Sequence, residues 1–305
     1  MTAAMGVRHD ALVFSSEDEL VDGTHDLIEQ GLQAGDLVVV HGGDAGVGVL
    51  RRAWDDDPRI TFADHARLYD RPMRTIGEFQ RMLDHESAAG RRVRVTGPVP
   101  FGEEPRTRHA WMSYEALVDR ALAPYEFVSL CQYDTRVLAA DLLAHARATH
   151  DRVVTAAGVE VGGQRRAAVL AELAGADGPD PLESEPPAYD GVLTAAEDLP
   201  VLRDAFRTAP DDLVIAVNEI VTNALQHARP PVTVRLHRGP DRWLCVVTDD
   251  GPGLPDPFQG VDSPLPGNPD AGGHGLWVAR QLCDDLTIAS DPGRGGTTVR
   301  LVHRA

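Results

Sequence analysis

Residues 211–228 read DDLVIAVNEIVTNALQHA. Leu213, Val217, Ile220 and Ala224 recur at the three- and four-residue steps of one apolar helix face, so the spacing predicts a helix over Asp211–His227. Glu219, Asn223 and His227 recur at four-residue steps on a different face. A carboxylate, a carboxamide and an imidazole in one row make an odd surface for a core helix. They make a reasonable one for holding a metal ion and a phosphate chain.

The sequence around this helix supplies glycines in a defined order. A strand over 191–194 and a helix over 195–208 are expected before it. Strands over 232–237 and 243–248, joined by a Gly-Pro-Asp turn, are expected after it. The second of these runs into Asp249-Asp250-Gly251-Pro252-Gly253. Asp249 at a strand end can accept a hydrogen bond from an exocyclic amine, and alternate glycines let the backbone approach a flat ligand. Residues 254–272 are rich in Pro, Gly and Asp, the composition of a long loop that is usually a functional lid or disordered. Gly272-Gly273-His274-Gly275-Leu276 then opens a helix over 277–283. Glycines before a helix start offer backbone N–H groups to phosphates. Strands over 286–289 and 297–302, split by DPGRGG, close the chain.

Each glycine cluster alone is common in turns. The order is what carries information: Glu219, Asn223, Ala224 and His227 on a helix, Asp249, Gly251 and Gly253 after a strand, Gly273, Gly275 and Leu276 before a helix, and Gly296, Thr297 and Thr298 opening a late strand. This set resembles the GHKL ATPase superfamily, whose Bergerat ATP-binding fold is a two-layer α+β domain. NEIVTNALQHA, VTDDGPGLP and GGHGLWVARQLCD are most similar to the anti-sigma-factor serine kinases and their relatives. The resemblance covers about residues 190–303 and implies ATP and Mg2+ as cofactors. It implies that Asn223 ligates magnesium through its side-chain oxygen. Glu219 would be the general base, and Asp249 would bind the adenine amino group. Gly251 and Gly253 would pass under the base. Gly273 and Gly275 would give backbone N–H groups to the phosphates, and Thr297 would support the adenine end. His227 is left between facing the phosphates and packing. The sequence departs from an ordinary site in two respects: the proline-rich lid has no lysine or arginine between Gly253 and Arg280, and the segment before Asp211 is short.

The first half alternates short apolar runs with helical patterns. Strands are expected over 11–14, 37–40, 60–62, 93–96 and 127–131, and helices over 17–33, 47–54, 76–89, 108–123 and 137–148. Alternation of this kind implies a mostly parallel sheet covered on both faces, with ligands past the carboxyl ends of the strands. Those ends are His41, Asp64, Thr96–Gly97 and Tyr133–Arg136. Gly43 and Gly48 have the spacing of a phosphate-binding loop, but Val49 and Leu50 stand where its lysine and hydroxyl would be. Turn chemistry is therefore the expected role of these glycines. His41, His65, His85, His109, His145 and His150 lack the paired spacing of a zinc site, so surface or structural roles are expected. Trp111 and Tyr114 are expected to pack a helix against the sheet.

The runs HDALVFSSEDEL, AGDLVVV, LCQYDTR and LLAHARATH, in that order, resemble the MEDS sensory domain of bacterial and archaeal regulators over about residues 8–152. The resemblance implies a RecA-like α/β fold used for sensing and carries no enzymatic residues. The organisation expected is a sensory domain over 1–152, a linker over 153–189 and an ATPase domain over 190–305. Residues 164–190 combine one short helical piece with a Pro-, Glu- and Asp-rich tail and read as a solvated tether, with an edge strand expected within 152–161.

Composition narrows the function classes. A chain of 305 residues has room for about two domains, and 43% hydrophobic content suffices for their cores. No apolar run approaches the ~18 residues that would cross a bilayer. The start MTAAMGVRHD does not read as a secretory signal. Cys131, Cys245 and Cys283 are too scattered for a disulfide framework and read as buried free thiols, so a cytoplasmic setting is expected. The net charge of −18 argues against nucleic acid or an anionic membrane as partner and is compatible with a protein.

Together these readings give a cytoplasmic regulator in which an N-terminal sensory domain, receiving a small-molecule or protein signal, controls an ATP-dependent serine/threonine protein kinase. Its implied partners are a sigma factor and an anti-sigma-factor antagonist. A homodimer is compatible with the family, although no dimer helix is visible in the sequence. One alternative is a non-catalytic ATP-binding module that sequesters its partner. Another is an atypical histidine kinase, which is disfavoured because no histidine lies between His150 and His227.

Overall fold

A computed structural model describes residues 6–175, 178–262, 274–290 and 295–305. The chain divides into two compact units. One comprises residues up to 171 apart from 71–74, and the other comprises 172–305 together with 71–74.

The first unit is an α/β layer structure. Its strands are β1 (Arg8–Phe14), β2 (Leu37–Gly42), β3 (Ile60–Asp64), β4 (Val93–Pro98), β5 (Phe127–Asp134), β6 (Arg152–Thr155) and β7 (Gly158–Val161). The helices between and after them are α1 (Glu17–Ala34), α2 (Asp44–Ala53), α3 (His65–Leu68), α4 (Pro72–Ala88), α5 (Pro105–Leu122), α6 (Ala140–Thr149) and α7 (Arg166–Gly175). The sheet order is β3-β2-β4-β5-β1-β6-β7, parallel throughout except for the β6–β7 hairpin. Strands β2 and β5 are buried almost without alternation because helices cover both faces. Leu12, Ile28, Val38, Val40 and Leu50 form one side of that core.

Local chemistry fixes the helix ends. Ser16 Oγ accepts from the Glu19 amide at 3.1 Å, while the Glu19 carboxylate accepts from the Ser15 amide at 2.6 Å. A cap of this kind is worth about 1 kcal/mol. At the other end of α1, Gly35 takes φ 74°, where a side chain would be strained. In the run after β2, Gly43 caps α2, and Val49 and Leu50 are buried in the core. The residues at the lysine and hydroxyl positions of a phosphate loop are thus packing groups.

The second unit is a five-stranded antiparallel sheet of order β11-β12-β10-β9-β8 with helices on one face. Its strands are β8 (Tyr189–Leu193), β9 (Val232–Arg238), β10 (Arg242–Asp249), β11 (Asp285–Ser290) and β12 (Thr297–Arg304). Its helices are α8 (Leu199–Ala205), α9 (Asp211–His227) and α10 (His274–Leu282). The helix expected over 195–208 is a 3-10 turn, Ala196–Asp198, followed by α8. Leu213, Val217, Ile220 and Ala224 of α9 are buried together with Val234, Cys245 and Leu301 of the sheet. The periodicity of 211–228 therefore matches the face that packs.

The stretch whose composition reads as a solvated tether is largely structured. Residues 152–161 form the β6–β7 hairpin, and Arg166–Gly175 is helical. Pro181–Ser184 is a 3-10 turn whose Leu182 packs against Leu244, Val246 and Val302, on strand positions that alternate with those facing the helices. Asp180 meets Arg242 at 3.1 Å, and Glu183 meets Arg300 at 2.6 Å. The acidic residues that suggested solvation are partners for arginines on the sheet's outer face.

Candidate functional site

Four segments of the second unit converge: the polar row of α9, the end of β10, the start of α10 and the start of β12. Between them lies a cavity of about 320 Å³. Asn223 and His227 line it from α9, Asp249 and Gly253 from the end of β10, and Thr297 from β12. The remaining wall is mostly apolar, with Ile220, Ala224, Leu254, Leu276 and Val299, and it includes Gln259. An apolar slot with a few convergent polar groups is the usual construction of a small-molecule site.

Asp249 is placed by the sheet. It stands opposite Thr297 in the β10–β12 register, and its Oδ1 accepts from the Gly251 amide at 2.8 Å. Burial pushes its carboxyl above the ordinary range, and the neighbouring Asp250 adds to the rise. Beyond it the chain turns tightly. A Cβ on Gly251 would lie 2.7 Å from the Ala228 Cβ and 2.8 Å from Asp249 Oδ1. Gly253 has φ 83°. The Gly296 amide donates to the Gly251 carbonyl at 2.7 Å, and the Leu254 amide donates to Ser290 Oγ at 2.7 Å. The carboxylate and the close backbone pass are thereby held as one piece.

Glu219, Asn223 and Gly275 meet at one point. A Cβ on Gly275 would come within 2.8 Å of Glu219 Oε2 and 2.9 Å of Asn223 Nδ2. The first turn of α10 therefore passes directly over the polar row, and a Cβ there would displace the Glu219 and Asn223 side-chain ends. Glu219 is half-buried and stands beside the α10 N-terminus without lining the cavity. His227 is exposed at the rim. Gly273 and residues 263–272 of the expected lid lie outside the described residues. Residues 254–262 are held down by Arg280, whose guanidinium donates to the carbonyls of Pro257, Gln259 and Leu286 at 2.7, 2.9 and 3.0 Å. The first cation after Gly253 is thus engaged with backbone, and the chain contains no lysine at all. Sequence reading missed Gln259 and Val299, which belong to no motif and reach the cavity only through the fold.

Residues 182–303 match the histidine kinase-like ATPase domain family, and residues 8–151 match the MEDS family, the methanogen/methylotroph, DcmR sensory domain. The chain is a MEDS sensory domain followed by a histidine-kinase-like ATPase domain. Both resemblances read from the sequence are met. The fold classes agree as well: a mostly parallel α/β sheet, then an antiparallel sheet with helices.

A histidine-kinase-like ATPase domain implies ATP as its ligand, and the residues fit one. The cavity is lined mostly by apolar side chains, the Asp249 carboxylate is part of its lining, and Gly251 and Gly275 leave gaps that a Cβ would fill. The MEDS domain has a cavity of its own, about 430 Å³, at the carboxyl ends of its parallel strands. Gly43 and Gly46 after β2, Pro98 at the end of β4 and Gln132, Asp134 and Arg136 at and beyond β5 line it. The helix after β2 leads toward β3 and the helix after β4 toward β5, so the cavity opens at the switch point of the sheet. Arg136 holds Asp134 by two hydrogen bonds, 2.8 and 2.7 Å, and keeps its carboxyl below the ordinary range. No helix among the described residues is long and apolar enough to cross a membrane.

Proposed function

We propose that the ATPase domain is a serine/threonine protein kinase of the anti-sigma-factor type, with its activity set by a signal received in the MEDS domain. The observation that carries the reading is the meeting of Glu219 and Asn223 under Gly275 at the edge of the cavity that Asp249 closes. When bound there, ATP with magnesium supplies the phosphoryl group. Asp249 accepts the adenine amino group, with Gly251, Gly253 and Thr297 around the base. Asn223 offers its side-chain oxygen to magnesium, an ion that favours oxygen ligands. Gly273 and Gly275 give N–H groups to the phosphates. Glu219, one turn before Asn223, takes the proton from the attacking hydroxyl. His227, exposed at the rim, is placed to face the phosphates or to pack.

The acceptor is a hydroxyl on another protein. No histidine lies between His150 and His227, and the segment ahead of β8 holds α7 and a 3-10 turn where a histidine kinase has a long helical hairpin. The partners in this reading are a sigma factor and a serine-bearing antagonist of the anti-sigma factor, met in the cytoplasm. The signal reaches the chain as a small molecule in the 430 Å³ cavity at the strand ends.

The test is transfer of the terminal phosphate of ATP to an anti-sigma-factor antagonist. Wild type should transfer it. Glu219→Ala should lose transfer while keeping ATP binding, and Asn223→Ala should lose magnesium-dependent binding. ATP binding without transfer to any such antagonist would defeat the kinase reading. One observation favours the alternative of a non-catalytic, partner-sequestering module: Arg280 is engaged with three carbonyls and the chain has no lysine to neutralise the phosphates. Under that alternative Glu219→Ala leaves regulation intact.

A further inference from the structure

The MEDS unit buries four groups that attract a metal. His9 on β1, Glu115 on α5, Cys131 on β5 and His150 at the end of α6 each offer a ligand atom, and all four atoms lie within 4.8 Å of one another. None of the four residues is more than 8% exposed. His9 Nε2 is 3.3 Å from Cys131 Sγ and 3.4 Å from Glu115 Oε2, and His150 Nε2 is 3.0 Å from the same oxygen. A tetrahedral zinc ion with bonds of about 2.0–2.3 Å spaces its ligand atoms about 3.3–3.8 Å apart. The contacts across the cluster have that scale.

The outer hydrogen bonds orient both imidazoles inward. His150 Nδ1 is 2.9 Å from the Ala146 carbonyl, which can only accept, so Nδ1 carries the proton. His9 Nδ1 is 3.2 Å from Asp119 Oδ2, which likewise asks for a proton on Nδ1. In the neutral rings this leaves both Nε2 lone pairs facing the Glu115 carboxylate, with the Cys131 sulfur beside His9. With both ring protons on Nδ1, no donor faces the carboxylate: Glu115 Oε2 meets the two Nε2 lone pairs, and Glu115 Oε1 is buried without a hydrogen-bond partner. A proton or a cation must lie between these lone pairs. Two extra protons would place two imidazoliums with ring centres 4.0 Å apart. One divalent cation would do the same with a single charge centre, and a thiolate and a carboxylate would bring the site to neutrality.

We propose that His9, Glu115, Cys131 and His150 form a closed four-ligand site for a divalent transition metal of the zinc class. Asp119 is its positioning residue, the carboxylate behind a ligating histidine. Imidazole and thiolate select a borderline-soft ion over magnesium or calcium. With four protein ligands and no solvent face, the site is of the structural kind. It ties α5 and the end of α6 to the two adjacent strands β1 and β5, in the same unit as the cavity at the strand ends.

Cobalt is the probe. The full chain, stripped with a chelator and free of nucleotide, should bind one equivalent of Co2+ and show the intense visible bands of a tetrahedral ion with a thiolate-to-cobalt charge-transfer band. Zn2+ should displace it and raise the melting temperature. Cys131→Ala should lose the charge-transfer band. The Cys245→Ala/Cys283→Ala double variant should keep it, and this variant decides the matter if Cys131→Ala does not fold. Asp119→Asn should weaken metal binding about 10- to 100-fold. A folded wild type without these bands, a band that survives Cys131→Ala, or a band lost from the double variant would overturn the site. In the first case the carboxylate is held by two protonated imidazoles.

Discussion

Replacing Asp249 by asparagine tests the nucleotide reading at its most specific contact. The Oδ1 atom of Asp249 already accepts from the Gly251 amide at 2.8 Å. In the variant the amide oxygen keeps that bond, because only an oxygen can accept it, and the NH2 group takes the other position. A donor then faces the adenine amino group, itself a donor. What is lost is a hydrogen bond to a charged acceptor, worth about 1.5–3 kcal/mol. At 1.4 kcal/mol per tenfold, ATP affinity should fall about 10- to 150-fold. Affinity for GTP, whose ring presents a carbonyl oxygen at the corresponding position, should rise toward that for ATP. Calorimetric titration of both nucleotides with magnesium measures the two shifts, with circular dichroism to show an unchanged fold. Because burial raises the Asp249 carboxyl, wild-type ATP affinity should fall on acidification, beginning at a higher pH than for an exposed carboxylate. In Asp249→Asn this acid limb should vanish. Equal ATP affinity in wild type and variant, with GTP still rejected, would refute the assignment of Asp249 to the base.

Three further outcomes follow from the packing. Leu213 is fully buried in the core of the ATPase domain and does not line the cavity, so Leu213→Ala should cost about 2–5 kcal/mol in chemical denaturation while the cavity-lining groups stay in place. A Cβ on Gly97 would run into the His41 ring, so Gly97→Ala should destabilise the MEDS domain by about 1–3 kcal/mol, and Gly97→Ala/His41→Ala should recover part of the loss. Burial, with His65 beside it at 3.0 Å, pushes the His41 imidazole from 6.5 down to about 3. The unfolded chain binds that proton below its ordinary 6.5, so stability is full above that pH and falls as the pH drops toward 3. At about 1.4 kcal/mol per unit, about 2 kcal/mol should be gone by about pH 5. Urea midpoints at neutral and acidic pH measure the loss, and His41→Phe should flatten the slope; an equal slope in that variant would assign the pH dependence elsewhere.

What the sequence disclosed and what it hid follow the range of the interactions. The helix at 211–228 was legible because its evidence is local: four apolar residues at helical steps set the buried face, and Glu219, Asn223 and His227 then fall on another. The glycines were legible as an ordered set, and Gly251 and Gly275 mark places where the backbone passes close to something. The Gly275 Cβ position between Glu219 and Asn223 shows what that something is within the chain itself. The edge strand and the short helix of the tether were legible, but composition cannot see the partners of its acidic tail. Glu183 looks solvated until Arg300, 117 positions later, is placed beside it. The His9, Glu115, Cys131 and His150 cluster failed for the same reason on a larger scale. Spacing rules for metal sites detect ligands that neighbour one another along the chain, and these do not: His9 and Cys131 are 122 residues apart. They meet because β1 lies between β5 and β6, with Ala11 opposite Cys131 on one side and Val153 on the other. Such a sheet brings the first strand, the fifth and the turn before the sixth to one point under α5. The four polar groups are brought together by this geometry, and no local pattern in the sequence could carry it. The two sites therefore differ in kind. The ATPase site is written in motifs, so its residues can be named before the fold is known. The buried cluster is written in topology, and its ligands become a set only when the order of the strands is in hand.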